Sequence, residues 1–309
     1  MGRGMTFAGP YLDRAAPMRE DSSWHEAALE DPASRVVIVW NSRNLILETE
    51  PPRAAMIALD EVPAQLRNAH TLILLGRFAD HPCFALEIDA EQPPRLWPQA
   101  RFEDLRVLAP RLPADEAGLL GYARAMLSWR RRHRFCPACG SPTAPRRSGH
   151  ALVCVNPACL TEQFPRIDPA IIVLVSDDGR ALLGRQASWP PGRYSTIAGF
   201  VEPGESLEDA VTREVSEETG VAIERIEYFA SQPWPFPASL MLGFHARAVS
   251  TAILRNDLEL EDARWFSREQ IAAGAVLLPP VHSISFSLIE HWFDTTGPLK
   301  LRELRGAGP

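Results

Sequence analysis

Gly199–Val221, GFVEPGESLEDAVTREVSEETGV, decides the fold of this chain. It opens as a turn, because Pro203 and Gly204 interrupt regular structure before the composition turns helical at Ser206. Ser206 is suited to an N-cap, with Asp209 three residues on in a capping-box arrangement. Gly220 stands where a C′ glycine would end the helix. On a 3.6-residue period Leu207, Ala210 and Val211 share one side, and Glu214, Glu217 and Glu218 continue it two turns later. A face that starts apolar and finishes in carboxylates leaves the core at a polar pocket.

Glu214, Glu217 and Glu218 stand at i, i+3 and i+4, at the negative end of the helix dipole. Like charges at i,i+4 destabilise an isolated helix by roughly 0.2–0.5 kcal/mol. Taken alone, the three glutamates read either as a solvated helix end or as a seat for hard divalent cations. Mg²⁺ and Mn²⁺ prefer carboxylate oxygen and would remove the repulsion.

The whole stretch fits the Nudix box, Gly-x5-Glu-x7-Arg-Glu-U-x-Glu-Glu-x-Gly-U with U aliphatic. Every fixed position matches, through Gly199, Glu205, Arg213, Glu214, Val215, Glu217, Glu218, Gly220 and Val221. The chain therefore resembles the Nudix hydrolases. That resemblance implies an α/β/α sandwich and metal-dependent hydrolysis of nucleoside diphosphates linked to another moiety. It implies that Glu214, Glu217 and Glu218 bind two or more Mg²⁺ or Mn²⁺ ions, joined by the backbone carbonyl of Ala198. Glu218 would also order the attacking water, and Glu205 would pair with Arg213 to hold the loop on the helix. Of Glu259, Glu261 and Asp262 in LELEDARWF, the resemblance selects Glu259 as a further ligand and leaves the other two in solvent.

Upstream, Cys136-Pro-Ala-Cys139-Gly is followed after fourteen residues by Cys154-x4-Cys159. Two close cysteine pairs in a chain expected to be cytosolic read as one structural Zn²⁺. Two disulfides, or a redox pair at Cys136 and Cys139, are the alternatives, disfavoured by a reducing compartment and by the lack of a thioredoxin-like context. Four thiolates close the tetrahedral shell, so this metal would have no open position for water. His133 beside it is then surplus and reads as a surface group.

Before the cysteines, strand-like runs at Arg35–Trp40, Leu45–Leu47, Thr71–Gly76 and Phe84–Ile88 are separated by proline-rich breaks. They indicate a small β-rich or α+β domain, opened within the first forty residues by a polar, Pro- and Gly-bearing segment expected to pack loosely, and followed by a helix from Asp115 to about Arg132. The arginines at 130–132 and 134 read as a solvated helix end or as a phosphate contact. Cys83 reads as a small buried apolar residue. After the cysteines, strands at Ala170–Val175 and Ala181–Gly184 flank a turn at Asp177-Asp178-Gly179. A strand at Ile223–Ala230 and an amphipathic helix at Ser283–Phe293 follow, with 300–309 as a loose tail.

Between these lies Ser231-Gln-Pro-Trp-Pro-Phe-Pro-Ala-Ser-Leu-Met241, whose alternating prolines stiffen an extended backbone. Its aromatic rings either dock a flat ligand at small entropic cost or plug the core. SQPWPFPxSLM behind a Nudix box and a four-cysteine module resembles the NADH pyrophosphatase subfamily over about residues 115–295. The resemblance implies cleavage of NAD(H) to AMP and nicotinamide mononucleotide, removal of NAD caps from RNA by bacterial members, and a homodimer. It implies substrate contacts at Gln232, Pro233, Trp234, Pro235, Phe236, Pro237, Ala238 and Ser239, and at Phe164, Phe200 and Ser285. Gly149 stands where bacterial members carry a glutamate.

The expected architecture is α+β, with an N-terminal β-rich domain over 1–130, a zinc ribbon over 131–163 and a Nudix sandwich over 164–309. With 46% apolar and 23% charged residues, the composition is that of a soluble globular protein. A net charge of −7 argues against a generally nucleic-acid-binding surface. No apolar run reaches the ~18–20 residues of a membrane span, and MGRGMTFAGPYLDR lacks a signal-peptide core, so the expected setting is cytoplasmic. Neither G-x-G-x-x-G nor a P-loop occurs, which makes a nucleotide more plausible as a substrate to be cut than as a hydride cofactor. A mainly RNA-decapping enzyme, contacting RNA through arginines at 130–134 and 146–147, is the alternative. A non-catalytic nucleotide sensor fits poorly with an intact glutamate set.

Overall fold

The computed structural model describes residues 5–67, 71–95, 97–177, 179–255 and 259–304. They form two compact units, one of Phe7–Ile167 with Trp234–Ala238, the other of Asp168–Pro233 and Ser239–Pro309 with Met1–Thr6.

The first unit contains α1 (Ser22–Glu30), β1 (Arg35–Trp40), β2 (Arg43–Leu47), β3 (Arg53–Ala54), β4 (Met56–Ala58), β5 (Leu72–Phe78), β6 (His81–Ile88), β7 (Ala100–Glu103), α2 (Leu105–Leu108) and α3 (Ala114–Arg132). Its main sheet runs β3-β2-β1-β6-β5, with β4 on β1 and β7 on β2. β1 and β6 pair in parallel from Arg35–Cys83 to Trp40–Ile88. Each β1 side chain from Val36 to Val39 is buried, because the sheet is covered on both faces. Val37 and Val39 join the core under α3, and Val36 and Ile38 join the one beside α1. Glu116 in the first turn of α3 is 3% exposed and accepts from Arg53 and from the Ala54 N–H, tying helix to sheet.

The segment expected to be loosely packed is ordered by long-range contacts. Phe7 is 3% exposed in the α3 core, Asp13 bridges Arg77, and Asp21 caps α1 by accepting from the Trp24 N–H at 3.0 Å. Its apolar residues are too sparse to show a period, and burial comes from distant partners. Of the arginines at the end of α3, Arg130 turns inward to the Thr71 carbonyl, while Arg131, Arg132 and Arg134 are exposed, Arg131 pairing with Glu87. Cys83 is buried as expected, and burial pushes its thiol up to about 12.

The small sheet β8 (Thr143–Arg146), β9 (Ala151–Cys154) and β10 (Glu162–Gln163) carries the cysteine module and groups with this unit.

The second unit contains β11 (Asp168–Ser176), β12 (Arg180–Arg185), β13 (Ile197–Phe200), α4 (Leu207–Thr219), β14 (Ile223–Trp234), β15 (Ser239–Ala248), β16 (Asp262–Ser267), α5 (Arg268–Ala272), α6 (Ile284–Asp294) and α7 (Leu301–Leu304). Its sheet runs β14-β15-β11-β12-β16. β15 lies parallel to β11 along its length, whereas β13 pairs antiparallel with β11 from Ala170–Phe200 to Val173–Ile197. Ile171, Val173 and Val175 pack with Ala210, Val211 and Val215 of α4. Ile284, Phe286, Leu288 and Ile289 of α6 are buried, and α6 contacts β11 and β15.

β14 runs four residues beyond the expected Ala230. It is an edge strand, where a proline that cannot donate to the ladder is tolerated. In the β11–β12 turn, Asp177 accepts from the Gly179 and Arg180 N–H groups, and Asp178 lies outside the described residues. The expected loose tail instead begins with α7, whose Leu301 is 1% exposed, while 305–309 lie outside the described residues.

Candidate metal centre

Ser206 caps α4, and the reciprocal capping box with Asp209 is formed. Gly220 ends the helix at φ 69°, donating to the Ser216 carbonyl at 2.9 Å. These two ends fix which side chains reach β13. Gly199 on β13 is a close-approach glycine, since an added Cβ would lie 1.8 Å from the Glu214 carboxylate. Glu214 therefore rests on the strand directly beside Ala198.

Arg213 organises the carboxylates. Its Nε and Nη2 donate to the two oxygens of Glu205 at 2.6 and 3.0 Å. Nη1 donates to Glu214 at 2.9 Å and Glu217 at 3.0 Å, and Nη2 also reaches the Phe200 carbonyl at 2.9 Å. The Glu205–Arg213 pair is thus present. It holds Glu205 well below the usual range, at about 2, with help from the Glu202 N–H. Burial pushes the Glu214 carboxyl up, opposed by Arg213 and reinforced by the charges of Glu217 and Glu259. Glu218 is 3% exposed, while the Glu217 side chain is half open to water.

The donor set is oxygen only, two of its carboxylates are buried, and like charges crowd Glu214. That chemistry suits a hard divalent cation, although no three of these carboxylates bring their oxygens within 4.8 Å of one another here. Glu259 lies near enough to act on Glu214; Glu261 is exposed as expected, though ion-paired, while Asp262 is half-buried. Glu261 binds Arg185 at 2.6 Å, and Asp262 accepts from Tyr194 at 2.5 Å and Arg264 at 2.6 Å.

The expected substrate residues differ in exposure. Phe164 and Phe200 present their rings to solvent, 54% and 60% exposed. Gln232 is fully buried instead. Its Oε1 accepts from the Ile284 N–H at 2.8 Å, and its Nε2 donates to the His282 and Thr6 carbonyls at 2.8 and 3.3 Å. Trp234 and Phe236 pack edge-to-face on Phe7, and the Arg124 and Arg106 guanidinium groups lie 5.0 and 4.6 Å from the Phe236 ring centre. Arg124 also donates to the Pro235 carbonyl at 3.1 Å. Pro235 is buried, and Pro233, Pro237, Ala238 and Ser239 are half-buried. For these aromatic rings the structure shows core packing. Ser285 is 4% exposed, with its hydroxyl 2.8 Å from both Ser195 Oγ and Thr196 Oγ1. Nothing local in the sequence announces Ser195 or Thr196, whose partner lies 90 residues away.

In the ribbon, Cys136, Cys139, Cys154 and Cys159 bring their sulfurs within 4.8 Å of one another, the one such group among the described residues. Cys136 and Cys159 are 3.8 Å apart, and Cys139 and Cys154 3.4 Å. A Zn–S bond of about 2.3 Å requires a tetrahedral edge of about 3.8 Å, so the arrangement suits zinc. The longer second spacing is taken up by a turn in which Asn156 accepts from the Ala158 N–H at 3.0 Å and its carbonyl accepts from the Cys159 N–H at 2.9 Å. His133 is not a surface group. It closes α3, with Nδ1 2.8 Å from the Trp129 carbonyl.

Three family models match in tandem. They are described as an NADH pyrophosphatase-like rudimentary NUDIX domain over residues 33–129, an NADH pyrophosphatase zinc ribbon domain over 131–164 and a NUDIX domain over 165–291. The NAD-capped RNA hydrolase NudC of Stutzerimonas stutzeri is 46% identical over 70% of this chain and 75% of its own length. The NAD-capped RNA hydrolase NUDT12 of Pongo abelii is 34% identical over 93% of this chain and 72% of its own. The chain spans less than half, 46%, of the NUDT12 of Macaca fascicularis, at 43% identity. With its box, carboxylates and four-cysteine ribbon in one chain, this protein belongs to the Nudix hydrolase family, in the branch that carries the NADH pyrophosphatase-like and zinc ribbon modules.

Proposed function

We propose that this protein hydrolyses the pyrophosphate bond of NAD(H), giving AMP and nicotinamide mononucleotide, and that it also removes NAD caps from RNA. The observation that carries the reading is the buried carboxylate pair Glu214 and Glu218 near the end of α4, with Glu214 laid against the Gly199 strand and held there by Arg213. Glu214, Glu217, Glu218, Glu259 and the Ala198 carbonyl would hold two or more Mg²⁺ or Mn²⁺ ions. Such ions polarise phosphoryl oxygens and lower the pKa of a water. Glu218 would also order the attacking water, Glu214 and Glu217 would share in holding the ions that supply this polarisation, and Arg213 keeps Glu214 and Glu217 in place. The exposed rings of Phe164 and Phe200 offer faces on which a base or nicotinamide ring stacks, whereas Gln232 and the packed Trp234 and Phe236 act as supports. Zn²⁺ in the ribbon is structural. We take 1–130, 131–163 and 164–309 as the three modules, working as a cytoplasmic homodimer.

The test is a substrate panel of NADH, NAD⁺, ADP-ribose and NAD-capped RNA with Mg²⁺ or Mn²⁺, products identified by mass. AMP with nicotinamide mononucleotide is the expected outcome. Glu218→Gln should lower kcat by about 10³-fold with fold and zinc content unchanged. Intact dinucleotide, or a Glu218→Gln rate like that of the parent, would refute the assignment. The relatives' names favour capped RNA as the alternative main substrate. Rates falling steeply with salt for capped RNA, but not for NADH, would identify phosphate contacts along the RNA.

A further inference from the structure

β13 carries the Ala198 carbonyl and the Gly199 floor under Glu214, yet it is only four residues long and, among the described residues, its ladder pairs with β11 alone. A short strand with one paired edge needs another anchor if its carbonyl is to stay in place. The structure supplies one just before the strand. Ser195 bridges Gly184 through two backbone hydrogen bonds of 2.8 and 2.9 Å. Next to it, the Ser285 hydroxyl sits in a closed set of contacts.

Ser285 Oγ accepts from the Thr196 N–H at 3.2 Å and from the Thr196 hydroxyl at 2.8 Å. A hydroxyl has two lone pairs and one proton, so the remaining proton is directed to Ser195 Oγ at 2.8 Å. Ser285 and Thr196 are 4% and 5% exposed, so no bulk water replaces a lost partner. Ser285 lies in the first turn of α6, and that turn is itself clamped. Ser283 caps it by accepting from the Phe286 N–H at 3.2 Å, and the Gln232 amide takes the Ile284 N–H. The same amide donates to the His282 carbonyl just before the helix, fixing the direction of both its ends. A buried amide with donor and acceptor both committed is a rigid support.

We propose that Ser285 is a positioning residue for the metal-binding strand. Its hydroxyl, on an α6 turn clamped by Gln232, sets where Thr196 and therefore Ala198 and Gly199 sit beneath the carboxylates. This rests on the proposed function, since it assumes that β13 and α4 share a divalent cation. Glutamine 232 and Ser285 then serve the site from behind, as supports, with their polar atoms turned to the chain.

The test is Mn²⁺ binding to the zinc-loaded full chain, followed by calorimetry and by electron paramagnetic resonance of free Mn²⁺, with no substrate present. Ser285→Ala should raise the Kd for Mn²⁺ about tenfold, because Thr196 loses its buried acceptor and the strand gains freedom. Thr196→Val, which keeps the shape and removes one O–H, should raise it about threefold, and Thr196→Ser should restore parental binding. At saturating Mn²⁺ the KM for dinucleotide should change less than about twofold in all three. A Ser285→Ala protein with lowered Tm and unchanged Mn²⁺ affinity would make the hydroxyl cluster simple packing and overturn the proposal. If the parent protein binds no Mn²⁺ that Glu214→Gln abolishes, the functional reading itself fails, a result distinguishable from failure of the support.

Discussion

A guanidinium has five N–H donors, and Arg213 commits all five, to Glu205 twice, to Glu214, to Glu217 and to the Phe200 carbonyl. A lysine offers three donors on a point charge and no planar fork. Arg213→Lys should therefore keep the net charge but lose the loop and one carboxylate. A Tm lower by about 2–4 °C in a thermal melt, with kcat down at least about tenfold, is the expected outcome. A variant with parental Tm and kcat would mean that charge alone suffices. At this scale the sequence was informative wherever partners are near in the chain. Glu205 and Arg213 are eight residues apart, and Glu214, Glu217 and Glu218 share one helix face. It was uninformative for Gln232, whose amide bonds groups 50, 52 and 226 residues away, so that its burial could not be read from flanking residues.

Among the elements, α4 was legible to its caps, because a serine, a spaced acid and a terminal glycine each have a local mechanism. The strands of the first unit were legible in their cores and blurred at their ends, where β5 and β6 run on to Phe78 and back to His81 around a tight turn. The cysteine module was legible as well, since spacing alone limits what four thiols can do. Its three strands are short, and two knuckle turns close it, with the Cys136 carbonyl accepting from the Gly140 N–H at 2.9 Å and the Cys154 N–H donating to the Thr161 carbonyl at 3.0 Å. A bound metal would join the two knuckles and add to the packing of Leu152 in the first unit's core. Cys136→Ser should drop zinc from about one per chain to a small fraction by elemental analysis, and lower the Tm. Removal of Mg²⁺ or Mn²⁺ by mild dialysis should stop turnover and leave that zinc in place. A parent protein purified without zinc would remove the metal from the account.

At the level of the whole molecule the described residues build two compact units, and the sequence did not reveal which pieces join which. The ribbon follows the first unit, and Trp234–Ala238 is counted with that unit although its neighbours in sequence belong to the second. Apolar period fixes which face an element buries, not the partner that covers it. His150 shows what this assignment does to stability. It lies between two ribbon strands and is 8% exposed, with Nε2 2.6 Å from the Leu74 carbonyl of β5, so its burial depends on the first unit's sheet. Burial, with Arg19 and Arg14 nearby, pushes it down to about 4, against the hydrogen bond to Leu74. A base held neutral in the fold but free to protonate near 6.5 when unfolded stabilises the fold fully above pH 6.5. That contribution, at most about 3 kcal/mol, is lost as pH falls from 6.5 towards 4, because the unfolded chain binds the extra proton. Denaturant midpoints should therefore fall between pH 7 and pH 4.5. In His150→Asn the fall should be shallower, from a lower starting value. If the variant and the parent lose stability in parallel over that range, other groups set the acid limit and His150 is charged in the fold.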